Sequence, residues 1–127
     1  MIELLVVVAI VAILAAIAWP LYGEHVARAH RLRAELDLME AAQYLQRHHA
    51  SNGSYAGVTL PDPLARSPHD APHAYVLAVA IESSGQEYLL SAEPAAARAG
   101  DRCGTLSLRS TGQRGNAAGQ AVSDCWR

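Results

Sequence analysis

Residues 1–20 read MIELLVVVAIVAILAAIAWP, and the meaning of this stretch decides how the rest of the chain is understood. Sixteen apolar residues run unbroken from Leu4 to Trp19, preceded by a single carboxylate at Glu3. As a helix, the first twenty-two residues would extend about 33 Å, enough to cross the hydrocarbon core of a bilayer. Its apolar side chains would lie on all faces, as in a helix surrounded by apolar material. Val6, Val7, Val8, Ile10, Val11, Ile13 and Ile17 are β-branched and stiff. Ala9, Ala12, Ala15, Ala16 and Ala18 leave room for neighbouring helices to approach closely. A carboxylate in such an assembly is costly unless it is paired. This near the chain end, its natural partner is the α-amine of an adjacent copy; a place in the lipid headgroup layer is the alternative.

Three readings of the stretch compete. A cleaved secretory signal would use Leu4–Leu14 as its apolar core and Ala16-Ile17-Ala18 as its cleavage site, but the basic residues that open such signals are replaced by an acid. A plain membrane anchor meets a topology conflict. Arg28, Arg31 and Arg33 favour the cytoplasmic side by the positive-inside rule, whereas the cysteines point to an oxidising compartment. The third reading is a helix built to leave the membrane and pack against copies of itself. Both difficulties ease if a short basic leader once preceded Met1.

Outside this segment the chain looks like one small soluble domain. At 127 residues it accommodates a single domain. A net charge of −2 gives no global field toward nucleic acid or acidic partners. So small a core calls for a staple. Cys103 and Cys125 can close one bridge, remain as buried thiols, or belong to part of a metal site. Two cysteines cannot complete a tetrahedral zinc site and there is no CxxC, so a disulfide is expected, worth about 3 kcal/mol in the chain-entropy model. A disulfide places the head outside the cytoplasm.

The expected organisation is a hydrophobic half-helix over 1–22, then a head over 23–127. Pro20 should kink the helix or melt it locally, with Gly23 adding freedom. An amphipathic half-helix follows over 23–50, with Ala29, Leu32, Leu36, Met39 and Ala42 as its core stripe, widened by Leu38, Ala41 and Leu45. Glu24, Arg28, Arg31, Arg33, Glu35, Asp37, Glu40 and Arg47 are assigned to the other faces. Asn52-Gly53 stops the helix. A loop over 51–73 carries Pro61, Pro63, Pro68 and Pro72, with Tyr55 and Leu60 as anchors. An antiparallel sheet over 74–109 follows, of three or four strands. Tyr75–Ile81 and Tyr88–Ala92 form a hairpin about Ser83-Ser84-Gly85, and Thr105–Arg109 forms the next strand. A disulfide-bounded tail, 103–127, ends the chain. The fold class is therefore α+β, the helix covering one face of the sheet.

Chemistry-bearing motifs are sparse. The spacing of His25 and His30 does not put them on one helical face. His48 and His49 sit at a helix end, and His69 and His73 lie in a loop. There is no HExxH, phosphate loop or GxSxG. No enzymatic activity, cofactor or metal is expected, and each histidine is read as solvated or locally bonded. Arg98, Arg102, Arg109, Arg114 and Arg127 would form a phosphate-contacting stripe if they shared a face. Trp126 would either pack over the disulfide, the preferred reading, or stand exposed as a contact beside Arg109, Arg114 and Arg127.

Taken together, Ile2-Glu3-Leu4-Leu5-Val6-Val7-Val8-Ala9-Ile10 followed by Pro20 resembles the N-terminal helix of type IV pilins. Mature pilins of that family open Phe-Thr-Leu-Ile-Glu after a leader is removed. Ile2-Glu3 match the last two positions, and the chain has no phenylalanine at all, which fits a start missing the leader and first mature residues. Cys103-Gly104-Thr105-Leu106, Ser110-Thr111-Gly112-Gln113 and Asp124-Cys125-Trp126-Arg127 are similar to PilE-like minor pilins. The resemblance implies a pilin fold and a minor subunit incorporated into, or priming, the type IV pilus, serving adhesion, twitching motility or DNA uptake. It implies assembly through Glu3, Leu4, Val8, Val11 and Pro20. It implies other major and minor pilins as partners and prepilin peptidase acting on the full precursor. The head would lie in the periplasm while the helix spans the inner membrane, and the subunit would end in the extracellular fibre. A DNA-binding competence pilin and a pseudopilin of type II secretion are the alternatives.

Overall fold

A computed structural model describes residues 1–117 and 119–127. One helix, α1, runs from Ile2 to Asn52. It ends where Gly53 adopts φ 72° and donates its N–H to the His49 carbonyl at 2.7 Å, a left-handed cap suited to glycine. The helix continues unbroken through Pro20, so the local melting expected there does not occur. The proline has no N–H to offer the Ala16 carbonyl, one turn earlier.

The sheet is a meander of five antiparallel strands in the order β1-β2-β3-β4-β5. They are β1 Arg66–Ser67, β2 Tyr75–Ile81, β3 Tyr88–Pro94, β4 Leu106–Arg109 and β5 Arg114–Asn116. A four-residue helix α2, Val122–Cys125, precedes the C-terminus. The hairpin β2–β3 and strand β4 fall where the apolar alternation put them. Two further strands flank them, one more than the upper expectation. β1 is two residues long and followed by Pro68, and β5 is Arg-Gly-Asn, so neither has an alternating apolar pattern to read.

Register places inward residues opposite one another. Leu77 faces Ala92, Ala92 faces Leu106, and Leu90 faces Leu108. These residues, with Tyr75 and Tyr88, meet Ala34, Leu38, Ala41, Ala42 and Leu45 of α1 in one core. Tyr55 and Leu60 join it as anchors, Leu60 in part. The Tyr75 side chain is fully buried and its hydroxyl has no partner among the described residues; burial pushes its pKa up to about 12.

The expected helical stripe is corrected here. Leu32 and Leu36 are 40% and 53% exposed, and Ala29 is exposed as well, whereas Arg31, Glu35 and Asp37 are buried. The docked face is rotated toward Ala34, Leu38, Ala41 and Leu45. Smaller alanines let α1 approach the sheet, and the charged residues on that face find ionic or backbone partners.

The turn between β2 and β3 locks the end of α1 to the sheet. Gly85 takes φ 67°, and its carbonyl accepts from the Tyr55 N–H at 2.8 Å and the Ser54 hydroxyl at 3.0 Å. A Cβ at Gly85 would lie 2.5 Å from the Ser54 oxygen, so the close approach needs glycine. At the other edge Cys103 and Cys125 form a disulfide with Cα atoms 5.7 Å apart. It ties the start of the β4 segment to α2 and encloses β4, with its buried Leu106 and Leu108, and the polar, Gly/Ala-rich stretch that follows it. Reducing the bridge is expected to lower unfolding stability by about 3 kcal/mol. Urea unfolding with and without reductant measures this; coincident transitions would remove the staple role.

Candidate functional site

Two regions stand out: the bare half of α1, and the charged junction where α1 enters the head. In the first, an eighteen-residue window has mean hydropathy 2.9 and none of it is buried, so the helix is long and apolar enough to cross a membrane. Leu4, Val8 and Val11 are 69%, 59% and 58% exposed. So large a continuous apolar surface marks a site for lipid or for other apolar helices. Glu3 lies exposed in the first turn, where a negative charge suits the helix dipole. Trp19 and Tyr22 are 84% and 73% exposed at the far end of the apolar run, where amphipathic rings suit a membrane–water boundary.

The junction begins one turn later. Glu24 lies 2.9 Å from Arg31, 3.5 Å from Arg102 and 4.0 Å from Arg28. Arg31 is buried and bridges Glu24 to the equally buried Asp101, with 2.9 Å on each side. Burial alone would lower the pKa of Arg31; Asp101 and Glu24 outweigh it, and the pKa is raised. Asp101 also accepts the Cys103 N–H at 2.9 Å, which couples this ion pair to the disulfide. The sequence placed Arg31 on a solvated face. Its partner lies seventy positions downstream, beyond the reach of helical periodicity.

The tail closes the junction from the other side. The Glu35 carboxylate, 3% exposed as a residue, accepts the Arg127 N–H at 3.1 Å. Burial raises the Glu35 pKa, while the Arg127 bond and nearby arginines oppose the rise. Trp126 is 4% exposed and donates its indole N–H to the Gly115 carbonyl at 2.9 Å. The guanidinium of Arg114 lies 5.2 Å from the centre of its ring and donates to the Arg127 carbonyl at 2.8 Å. Trp126 is thus buried in the core cluster that contains Cys103 and Cys125 and does not stand exposed as a contact.

A cleft of about 230 Å³ remains between α1 and the tail, lined by Arg28, Leu32, Glu35, Arg102, Asp124 and Arg127 among others. The five C-terminal arginines do not line up as one stripe. Arg102 and Arg127 reach this cleft. Arg114 is paired with Leu108 across β4–β5 and so shares its core-side face, whereas Arg109, one residue on, is exposed on the opposite face. Arg98 lies in a separate pocket with Ala27 and Asp101. Arg109 and Arg127 are exposed and have no ion-pair partner among the described residues.

With this geometry in place, comparison with known proteins identifies the class. The structure is similar to a type IV pilin from Shewanella oneidensis solved at high resolution, with a TM-score of 0.56 and 30% sequence identity over 80% of this chain and 98% of that one. Residues 20–107 match the family model described as "Type IV minor pilin ComP, DNA uptake sequence receptor". The chain belongs to that family of type IV minor pilins. No curated protein sequence matches it.

The buried ion pair generates a stability prediction. Arg31→Met leaves the Asp101 carboxylate buried without its cation and is expected to cost about 3–5 kcal/mol. Equilibrium unfolding measures it. A loss below about 1 kcal/mol, the range of exposed pairs, would show that Asp101 is effectively solvated.

Proposed function

We propose that this minor pilin is a structural subunit that polymerises through residues 1–22, with residues 23–127 as the displayed head. The single observation that supports this reading is the wholly exposed apolar half-helix on a head with a separate core. Before assembly the half-helix spans the inner membrane with the head in the periplasm, the side its disulfide favours. In the fibre, Leu4, Val8 and Val11 pack on the helices of other major and minor pilins, and Pro20 lets the segment adjust along its length. The precursor is the substrate of prepilin peptidase. The role is that of a structural subunit, in keeping with the family and fold.

Within this reading Glu3 pairs with the α-amine of a neighbouring subunit. Surrounded by apolar helices, an unpaired carboxylate is strongly unfavourable, so pairing favours one stagger between subunits. Glu3→Ala in the full precursor should leave a stable, membrane-located protein that enters sheared fibres poorly. Glu3→Gln should behave nearly the same, since it keeps shape and loses charge. Normal incorporation of both variants, measured by immunoblotting of sheared fibres, would reduce Glu3 to a residue of the headgroup layer.

A second reading, that the head contacts DNA, is favoured by the family description. The arginines suited to phosphate contact are the exposed ones without acidic partners, Arg109 and Arg127; Arg114 is already engaged with Trp126 and the Arg127 carbonyl. Binding of duplex DNA should weaken as salt rises. Arg109→Gln and Arg127→Gln should each flatten the log–log salt dependence by about 0.9. A salt dependence identical to the unmodified chain's in both variants would remove these two residues from the interface.

A further inference from the structure

Where the loop between α1 and β2 folds back on the helix, three groups converge that no assembly role uses. Asp37 and Glu40 are three residues apart on α1 and therefore neighbours on its surface. His69 reaches them from the loop. Its Nε2 lies 3.5 Å from Asp37 Oδ1 and 3.4 Å from Glu40 Oε2, and the three ligand atoms all lie within 4.8 Å of one another.

The other ring nitrogen fixes the chemistry. His69 Nδ1 is hydrogen-bonded to the Pro63 carbonyl. A carbonyl only accepts, so Nδ1 carries the proton. In the neutral ring, Nε2 then presents its lone pair to two carboxylate oxygens. Three electron pairs facing one another need a positive charge between them, either a proton on Nε2, which makes an imidazolium bridging the two carboxylates, or a metal ion. The separations tell which kind. Charge-assisted N–H···O bonds are about 2.7–2.9 Å long, shorter than either separation here. Ligands at about 2.1 Å from a tetrahedral ion are about 3.4 Å apart, close to the two His69 separations, and the two carboxylate oxygens lie within 4.8 Å of each other. A histidine whose far nitrogen donates to a backbone carbonyl is also the usual arrangement of a metal ligand.

We infer that Asp37, Glu40 and His69 form a divalent-cation site of the zinc type, with a water completing the tetrahedron. An imidazole ligand favours zinc over calcium or magnesium, which prefer all-oxygen shells. The Asp37 side chain is 2% exposed, His69 28% and Glu40 56%, so the site has a buried floor and an open mouth through which an ion and its water can enter. Arg33 Nε also holds the Asp37 carboxylate, at 3.1 Å from Oδ1, the oxygen that faces His69, and 3.2 Å from Oδ2. It orients the carboxylate and takes up part of its charge, so binding is moderate and reversible. The bound ion joins α1 to the segment carrying Pro63 and strand β1, the free edge of the sheet. This inference is independent of the pilus and DNA readings.

The test is zinc titration of the full chain in detergent micelles, followed by calorimetry and thermal melting. One zinc per chain should bind and raise the melting midpoint, and EDTA should reverse the rise. Glu40→Gln and His69→Gln should weaken binding by at least the 10–100-fold that changes around a metal site cost, roughly. His73→Ala and His49→Ala, which lie outside the cluster, should bind as the unmodified chain does. Cobalt(II) in place of zinc should show the intense visible absorption of a four-coordinate ion. Glu40 is exposed enough that its variant keeps the fold, which circular dichroism verifies. No saturable binding overturns the inference, as does binding unaffected by Glu40→Gln and His69→Gln. A His69 effect on stability without any zinc effect would assign the cluster to a proton instead and equally overturn it.

Discussion

One helix must satisfy two environments, and the rest of the molecule follows from that constraint. Over its first twenty-two residues α1 offers apolar side chains in every direction, and the head covers none of the apolar window. That surface is satisfied only by lipid or by other helices. Beyond Tyr22 the same rod turns one face to a five-stranded meander. The head therefore folds against a rod whose far end answers to other partners, and it needs firm attachment where the two regimes meet. The Glu24–Arg31–Asp101 chain of ion pairs lies at that junction, with the Cys103 N–H bound to the same Asp101 carboxylate.

Much of this was legible because it is periodic. The unbroken apolar run, the alternation of Tyr75, Leu77, Val79 and Ile81, and the glycine after Asn52 each state a local preference that the fold keeps. The resemblance to type IV pilins was carried by the two ends of the chain, and the family match covers residues 20–107 between them. What escaped was set by distant partners. Arg31, Glu35 and Asp37 read as solvent-facing because charge normally is, yet each is buried against a group far along the chain or a flanking side chain. Leu32 and Leu36 read as core because they are apolar at helical spacing, yet the alanine-rich face docks instead. Strands β1 and β5 have too few apolar residues to announce themselves; their pairing is dictated by neighbours.

The candidate sites divide in the same way. Glu3, Leu4, Val8, Val11 and Pro20 were singled out from a local pattern, and all lie in the exposed helix. The arginines could not be grouped from spacing, because a one-residue step in a strand changes the face; Arg109 and Arg114 leave opposite sides of the sheet for that reason. The convergence of His69 on Asp37 and Glu40 had no signature in sequence either. A helix pair three apart and a loop histidine about thirty positions later meet only once the loop has folded back on α1.

The closed tail has a consequence for how such a chain can change over time. The tail is held by a few contacts: the Cys103–Cys125 bridge, the Trp126 indole N–H on the Gly115 carbonyl, and the Arg127 N–H on the Glu35 carboxylate. None of these contacts uses a side chain of Ser110, Thr111, Gln113 or residues 120–123. Ser110, Thr111, Gln113 and residues 120–123 can therefore change while the frame that displays them stays in place, whereas Gly112 and Gly119, at φ 84° and 69°, call for glycine. The head thus separates a frame that is held in place from a surface stretch that is free to vary.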